Sequence, residues 1–196
     1  MAEANTEAFG DGRSKLEFET LANSDLPSAG SIVDFEGFCK VLKYIKQATS
    51  PPPSGFRARS IATARDRNGS YVVYPSPTYV LSQLGVIYEH WKRYRVIEPG
   101  FAAVVAMTAL TNLHPFIDGN GRIARIVFNW TLNPSRANPV YLPIYELSAL
   151  SRCGYLVRLR QAQYHSEWGP LFQFLLLCSE RLFYDGGVNL ISAQSP

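Results

Sequence analysis

Residues 101–132 read FAAVVAMTALTNLHPFIDGNGRIARIVFNWTL, with a polar segment between two apolar stretches. The stretch 101–110 is apolar on nearly every side, which is typical of a buried central helix. Pro115 disfavours helical backbone in the residue before it, so this helix is predicted to end at His114. A second helix is predicted to begin around Gly121 and to run to the end of the quoted stretch. The sequence therefore predicts two packed helices joined by a polar loop.

The loop has the residues of an anion site. The second helix turns its N-terminus, with free N–H groups and the positive end of its dipole, toward the loop. Gly119 and Gly121 allow the positive dihedrals of an anion-binding nest, and Asn120 can add a side-chain donor. Arg122 and Arg125 lie about one helical turn apart, so both guanidinium groups can point the same way. This arrangement predicts a polyphosphate site.

Two further residues of the loop can do chemistry. Asp118 is a carboxylate beside the predicted phosphate site, and carboxylate plus phosphate oxygens are common ligands of Mg²⁺. His114 titrates near neutral pH and can accept a proton from an attacking hydroxyl. Phe116 is expected to point into the core and to hold the loop. Taken singly, His114 also fits an ordinary helix C-terminus and Asp118 an ordinary turn, but together they favour an active site.

The rest of the chain indicates a helical domain with one strand pair. Apolar residues recur with helical spacing in 31–48, for which Ser31 is the expected N-cap, and the prolines at 51–53 must end that helix. Two β-type runs around an Asn-Gly turn predict a hairpin over about 60–74. Helices are expected from Thr78 onward. The predicted fold class is mainly α: a compact helical bundle with one β-hairpin.

Composition sets the domain limits. With 196 residues and 46% hydrophobic content the chain can build one globular domain, predicted over 31–186. Residues 1–30 are expected to form a flexible extension and 187–196 a tail. The three cysteines, Cys39, Cys153 and Cys178, lack metal-ligand spacing and are expected to be reduced thiols.

Charge and targeting signals bear on the expected partners and location of the protein. The net charge of +3 is too small to indicate a nucleic-acid partner, and no apolar stretch has membrane-spanning length. The first residues lack the apolar run of a signal peptide. We expect a cytoplasmic protein, or an effector delivered into a host cytosol without a conventional signal peptide. Four arginines between residues 57 and 67 are most simply a solvated charged face: Arg57, Arg59, Arg65 and Arg67.

HPFIDGNGRIAR at 114–125 resembles the Fic signature HPFx[D/E]GNGRxxR at every defined position. The predicted hairpin lies where Fic proteins carry their flap, and 154–176 is similar to their closing helices. The resemblance covers roughly residues 35–184. It implies the Fic fold and a protein adenylyltransferase, which transfers AMP from ATP to a hydroxyl of a target protein. A Gly at position 121, where phosphate-transferring relatives carry Lys, favours AMP transfer.

Carried onto this sequence, the resemblance implies a role for each loop residue. His114 would deprotonate a Ser, Thr or Tyr hydroxyl, and Asp118 would hold Mg²⁺ against the α- and β-phosphates of ATP. The remaining loop positions would bind the nucleotide and its phosphates. These are Phe116, Gly119, Asn120, Gly121, Arg122 and Arg125.

The flap is expected to bind the protein substrate by strand addition. The residues expected to line it are Ile61, Ala62, Thr63, Tyr71, Val72 and Val73. Alternatives within the same fold are transfer of UMP, phosphocholine or phosphate, and a bifunctional enzyme that also removes AMP. An inactive interaction module or an antitoxin-like protein is the non-enzymatic alternative.

Regulation is the point at which the sequence departs from the family pattern. Many Fic proteins are silenced by a helix with the pattern [S/T]xxxE[G/N], whose Glu pairs with the second arginine of the signature. The candidate here is Glu36 in SIVDFEG, although Ser31 stands one place too early. Glu36 is therefore a candidate inhibitory residue that would pair with Arg125, and a separate antitoxin or inhibitory partner is the other expectation.

Overall fold

A computed structural model describes residues 13–65, 68–134, 141–151 and 154–183. The described chain is mainly helical, as the sequence predicts. Its helices are α1 (Arg13–Ala22), α2 (Phe35–Thr49), α3 (Val80–Tyr94), α4 (Pro99–Leu113), α5 (Asn120–Leu132), α6 (Ile144–Leu150), α7 (Gly154–His165) and α8 (Gly169–Phe183). In the part of the chain that the structure describes, no helix is long and apolar enough to cross a membrane.

The chain divides into two compact units. One unit comprises residues 17–140 and contains α2 to α5, and the other comprises residues 1–16 and 141–196 and contains α6 to α8. In the second unit, α7 packs against both α6 and α8. The loop predicted to carry the chemistry lies wholly within the first unit.

The first unit is built around α4 and α5, which pack against each other more extensively than any other pair of helices. Helix α3 covers α4, and α2 covers α5. The rings of Trp91 and Trp130 stack at 5.1 Å between centroids. Trp91 Nε1 donates to Thr131 Oγ1 at 2.9 Å, so the polar edge of this buried ring is satisfied. These contacts join α3 to α5, the helix that follows the loop.

Helix α2 begins later than predicted, because Asp34 and not Ser31 is its N-cap. The Asp34 carboxylate accepts the Gly37 N–H at 2.7 Å, and this satisfies one of the unpaired donors of the first turn. Ser31 instead ends a short 3₁₀ turn over Ala29–Ser31. The apolar spacing had identified the buried face correctly, since Phe38, Leu42 and Ile45 are fully buried.

The predicted hairpin over 60–74 is reduced, among the described residues, to a single antiparallel bridge between Ala62 and Val73. Thr63 N donates to Val72 O at 2.9 Å, and Tyr74 N donates to Ile61 O at 3.1 Å. We call residues 60–74 the flap. Among the described residues of the flap no pair of full strands forms, so its pairing is less regular than the sequence predicts.

The N-terminal extension also differs from the prediction. Residues 13–22 form α1, whereas a flexible extension was expected as far as residue 30. The predicted C-terminal tail at 187–196 lies outside the described residues, as does Cys153. Cys39 is buried and Cys178 is half-buried, and both are free thiols.

Candidate active site

Two left-handed residues shape the loop between α4 and α5. His114 caps the end of α4 with φ 50° and ψ 63°, and its N–H donates to Leu110 O at 3.0 Å. Gly119 precedes α5 with φ 81° and ψ 3°. Such dihedrals disfavour side chains other than Gly, so His114 occupies a backbone conformation that its surroundings must stabilise. The chain reverses between these two points, and the N-terminus of α5 lies at the bend.

Gly119 is required by space as well as by its dihedrals. A Cβ at this position would lie 2.4 Å from Ser50 Oγ, a side chain at the end of α2. The backbone of the loop therefore approaches α2 closely. Gly121 lies in the first turn of α5, and a Cβ there would lie 3.4 Å from Nη1 of Arg125. The N-cap of α5 is Gly119, which has no side chain to bind the N–H groups of the first turn. An anion site needs these N–H groups to be available.

The imidazole of His114 is set up as a neutral base. Its Nδ1 lies 2.5 Å from Thr111 O, and since a carbonyl can only accept, the proton is on Nδ1 and the lone pair on Nε2. Burial lowers the pKa of His114, the Thr111 carbonyl acts in the opposite direction, and the Arg57 charge lowers the pKa further. The ring of Tyr74, at the end of the flap, stacks on it at 3.6 Å between centroids.

Phe116 and Asn120, two of the predicted nucleotide ligands, have structural contacts within the loop. Phe116 is fully buried, as its predicted place in the core requires, and its ring packs against Phe56 at 5.1 Å between centroids. Asn120 Oδ1 accepts the Phe116 N–H and Asn120 Nδ2 donates to Phe116 O, each at 2.9 Å. The amide of Asn120 thus closes the loop on itself, and both of its ends are hydrogen-bonded, as a buried amide requires. Its contact with a phosphate stays a prediction.

Arg122 and Asp118 lie near the C-terminal end of α2. Arg122 Nη1 donates to Thr49 O and, at 3.0 Å, to Ser50 Oγ, while its Nε is buried without a hydrogen-bond partner among the described residues. Lys46 is buried with its Nζ 2.5 Å from Pro51 O. Burial lowers the pKa of Lys46, and the nearby Asp118 carboxylate acts in the opposite direction. The orphaned Nε of Arg122 is a donor that an anion could satisfy.

Arg125 is paired with Glu17 of α1, not with Glu36. Arg125 Nη2 and Nε both bond to Glu17 Oε1, at 2.5 and 3.1 Å, and Nε also reaches Oε2 at 3.2 Å. The Glu17 side chain is fully buried and that of Arg125 is 14% exposed. Glu36 forms an exposed pair with Lys40, one turn along α2. The predicted pairing of Glu36 with Arg125 is therefore wrong.

The residues present fit a magnesium ion held jointly with phosphates. Asp118 is exposed at the loop, and Mg²⁺ commonly takes one or two carboxylates, with phosphate oxygens and water completing its shell. In the described ranges no cluster of three or more His, Cys, Asp or Glu could hold a metal by itself. A metal at this loop would depend on a bound polyphosphate for its remaining ligands.

Sequence reasoning missed four residues of this site: Glu17, Ser50, Arg57 and Tyr74. The segment 13–22 has no Gly or Pro and consists mainly of helix-forming residues, so α1 was detectable. The partners of these four residues come from distant parts of the chain, and no local pattern marks them. Arg57 was assigned to a solvated face, yet it is only 4% exposed.

The sequence profile of the Fic/DOC family matches residues 33–132, about half of the chain. The protein belongs to the Fic/DOC family. The match includes the loop, both flanking helices, α2 and the flap, whereas α1 with Glu17 precedes it and α6 to α8 follow it.

Curated relatives carry the name protein adenylyltransferase. Protein adenylyltransferase fic-1 of Caenorhabditis elegans is 40% identical over 72 residues, which are 35% of this chain and 14% of that protein. Protein adenylyltransferase Fic of Nematostella vectensis is 30% identical over 112 residues, 56% of this chain and 25% of that protein. The chain thus matches a quarter or less of the length of these relatives.

Solved structures share the fold over most of the chain. A Fic family protein from Desulfovibrio desulfuricans G20 superposes with a TM-score of 0.64 at 18% identity, covering 85% of this chain and 51% of that one. Residues 134–508 of C. elegans Fic-1 give a TM-score of 0.54 at 24% identity, with coverage of 90% and 48%. At these identities the likeness concerns the fold.

Proposed function

We propose that the protein transfers AMP from Mg-ATP to a Ser, Thr or Tyr hydroxyl of a target protein. The observation that carries the proposal is the pairing of a neutral histidine with a helix N-terminus. His114 keeps its lone pair on Nε2, at one end of the loop, and Gly119 opens the N-terminus of α5 at the other. The names of the curated relatives support the same chemistry.

The transfer needs little more than positioning and charge. The target oxygen forms a bond to the α-phosphorus, and the bond from that phosphorus to the oxygen leading to the β-phosphate breaks, so pyrophosphate leaves. The hydroxyl proton passes to Nε2 of His114. Asp118 would hold the magnesium ion, which supplies charge neutralisation on the phosphates when bound.

The arginines and the helix end would hold the nucleotide. Backbone N–H groups of the first turn of α5, near Gly121, would receive phosphate oxygens. Arg122 would contact the outer phosphates with its orphaned Nε, and Arg125 would reach the last phosphate after leaving Glu17. The target segment would pair with the open edge of the flap, where Tyr71 and Val73 are exposed.

We further propose that Glu17 restrains the enzyme. A carboxylate on Arg125 occupies the donors that a terminal phosphate would need, and it repels that phosphate. Glu17 takes the regulatory role that the sequence pattern gave to Glu36. Release of α1 would then precede productive binding of ATP.

The direct test is labelling of a cell lysate with ATP carrying ³²P on the α-phosphate. Wild-type protein is expected to label a protein band, and His114→Ala is expected to abolish the label. His165→Ala is the matched control, because His165 is an exposed histidine at the end of α7. Retained labelling by His114→Ala would refute the assigned base.

The donor is identified in the same assay. In parallel reactions, α-labelled ATP is replaced by γ-labelled ATP, by labelled UTP or by labelled CDP-choline. The intact mass of the modified target then identifies the group transferred. If the target takes up the γ-label and none of the α-label, the protein transfers phosphate and not AMP. Arg122→Ala is expected to weaken ATP binding in calorimetry, since it removes the guanidinium placed near the phosphates.

A further inference from the structure

Arg57 is a buried cation whose donors all meet backbone carbonyls in the described contacts. Its Nε donates to His114 O at 2.6 Å, and its Nη2 donates to Pro75 O at 2.5 Å and to Leu113 O at 3.2 Å. Nη1 donates to Arg59 O at 3.2 Å. A guanidinium carries five donors in a rigid fork, and here that fork joins three stretches of chain.

One of these stretches is the end of α4. The last carbonyls of a helix have no partner within the helix, and a cation at this end is favoured by the helix dipole. Arg57 supplies both the donors and the charge for Leu113 and His114. The Arg57 N–H also donates to Pro115 O at 2.9 Å, so the same residue contacts three successive carbonyls around the left-handed turn. These bonds stabilise the backbone conformation from which the imidazole projects.

A second stretch is the end of the flap. Pro75 directly follows Tyr74, whose ring stacks on the His114 ring and whose N–H pairs with Ile61 across the flap. Arg57 thus fixes the backbone beneath the stacked Tyr74 as well as the backbone beneath His114. One guanidinium therefore contacts the backbone next to each of the two rings.

We propose that Arg57 is a positioning residue for His114. The buried guanidinium of Arg57 ties the left-handed turn that carries the imidazole to the end of the flap. The inference rests on the proposed function, since it takes His114 as the base and the flap as the surface that binds the target. Through Arg57, the position of the flap and the position of the His114 imidazole are coupled. A target segment aligned on the flap is then registered against Nε2 by the same contacts.

The Arg57 charge also acts on the imidazole. Burial is the main cause of the lowered pKa of His114, and the fixed cation of Arg57 disfavours the imidazolium further. Removal of the charge is expected to raise the pKa of His114. Substitution by Lys retains a charge but loses the fork, so Lys and Gln separate the two contributions.

The test compares Arg57→Lys and Arg57→Gln with Arg59→Gln, a matched loss of one exposed arginine from the same segment. We expect kcat for AMP transfer to fall in both Arg57 variants by about 100-fold, the scale of an ångström-level misplacement. KM for ATP is expected to stay unchanged. Arg59→Gln is expected to behave as wild type.

A second readout requires no turnover. The titration of the His114 imidazole is followed by NMR, with the signal identified by its absence from His114→Ala. Its midpoint is expected to move to higher pH in Arg57→Gln and to stay near that of wild type in Arg57→Lys. A loss of stability alone would lower the melting temperature and leave the midpoint in the folded fraction where it was.

The results separate the positioning role from the proposed function. Wild-type turnover in Arg57→Lys, or an unmoved His114 midpoint in Arg57→Gln, would overturn the role of Arg57. A wild-type protein that transfers no AMP while the midpoint shifts as expected would overturn the proposed function and leave the positioning intact. If Arg57→Gln does not fold, Arg57→Lys decides through its kcat and its unchanged KM for ATP.

Discussion

Replacing Glu17 by Gln is the sharpest test of how Arg125 is held. Gln keeps the shape of the side chain and removes its charge, so the contact with Arg125 survives sterically while its ionic character is lost. If the last phosphate of ATP must displace Glu17, the strength of this contact is subtracted from the binding of ATP. The variant is therefore expected to bind ATP more tightly and to label its target faster.

The size of the effect follows from the geometry. The pair has hydrogen bonds from Nη2 and Nε of Arg125, with Glu17 fully buried and Arg125 14% exposed. Hydrogen bonds to a charged group contribute about 1.5–3 kcal/mol. At about 1.4 kcal/mol per factor of ten, this corresponds to roughly a 10- to 150-fold gain in ATP affinity.

Stability is expected to change in the opposite direction. Removing one partner of a fully buried ion pair costs about 3–5 kcal/mol, and the partial exposure of Arg125 makes this an upper bound. The melting temperature without nucleotide should therefore fall in Glu17→Gln. Mg-ATP should restore it more than in wild type, because the phosphate replaces the lost carboxylate.

Calorimetry with ATP and labelling from α-³²P-ATP are the assays. The controls are Glu19→Gln, an exposed glutamate of the same helix, and Glu36→Gln, which breaks only an exposed pair with Lys40. Both are expected to leave ATP affinity and labelling unchanged. Equal affinity in Glu17→Gln and wild type, or activation by Glu36→Gln, would show that Glu17 does not restrain Arg125.

Three further predictions concern the loop and the core. The pKa of His114 lies below its ordinary value of 6.5, and the neutral form is the base. In a pH–rate profile, the labelling rate should therefore be independent of pH just above 6.5 and fall only at lower pH. A fall that begins above pH 6.5 would contradict this. Gly119→Ala should destabilise the protein by about 1–2 kcal/mol or more through its left-handed dihedrals, whereas Gly100→Ala, with open space in α4, should stabilise it by about 0.5–1 kcal/mol; urea unfolding compares the two, and equal effects would refute the reasoning. Thr131→Val should cost about 1–3 kcal/mol in the same assay by orphaning the buried Trp91 N–H; an unchanged midpoint would show that this hydrogen bond contributes nothing.

The helical architecture and the central loop could be predicted because they depend on local rules. The apolar run before His114, the restriction imposed by Pro115 and the glycines around Asn120 are all visible in the sequence. They set the end of α4 at Leu113 and the beginning of α5 at Asn120. The left-handed conformation of Gly119 follows from the same local logic. The resemblance of this loop to the Fic signature was correspondingly sufficient to identify the family.

Tertiary structure alone decided which partner each charged side chain takes. Arg57 looked like part of a solvated cluster, yet carbonyls from distant segments enclose it. Glu36 followed the family pattern most closely, yet Glu17 reaches Arg125 from 108 residues away in sequence. Residue type and spacing determine helices and turns, since these form between near neighbours. The pairing of buried charges depends on how separate helices pack, because desolvation makes each charge take the partner that the folded chain brings within reach.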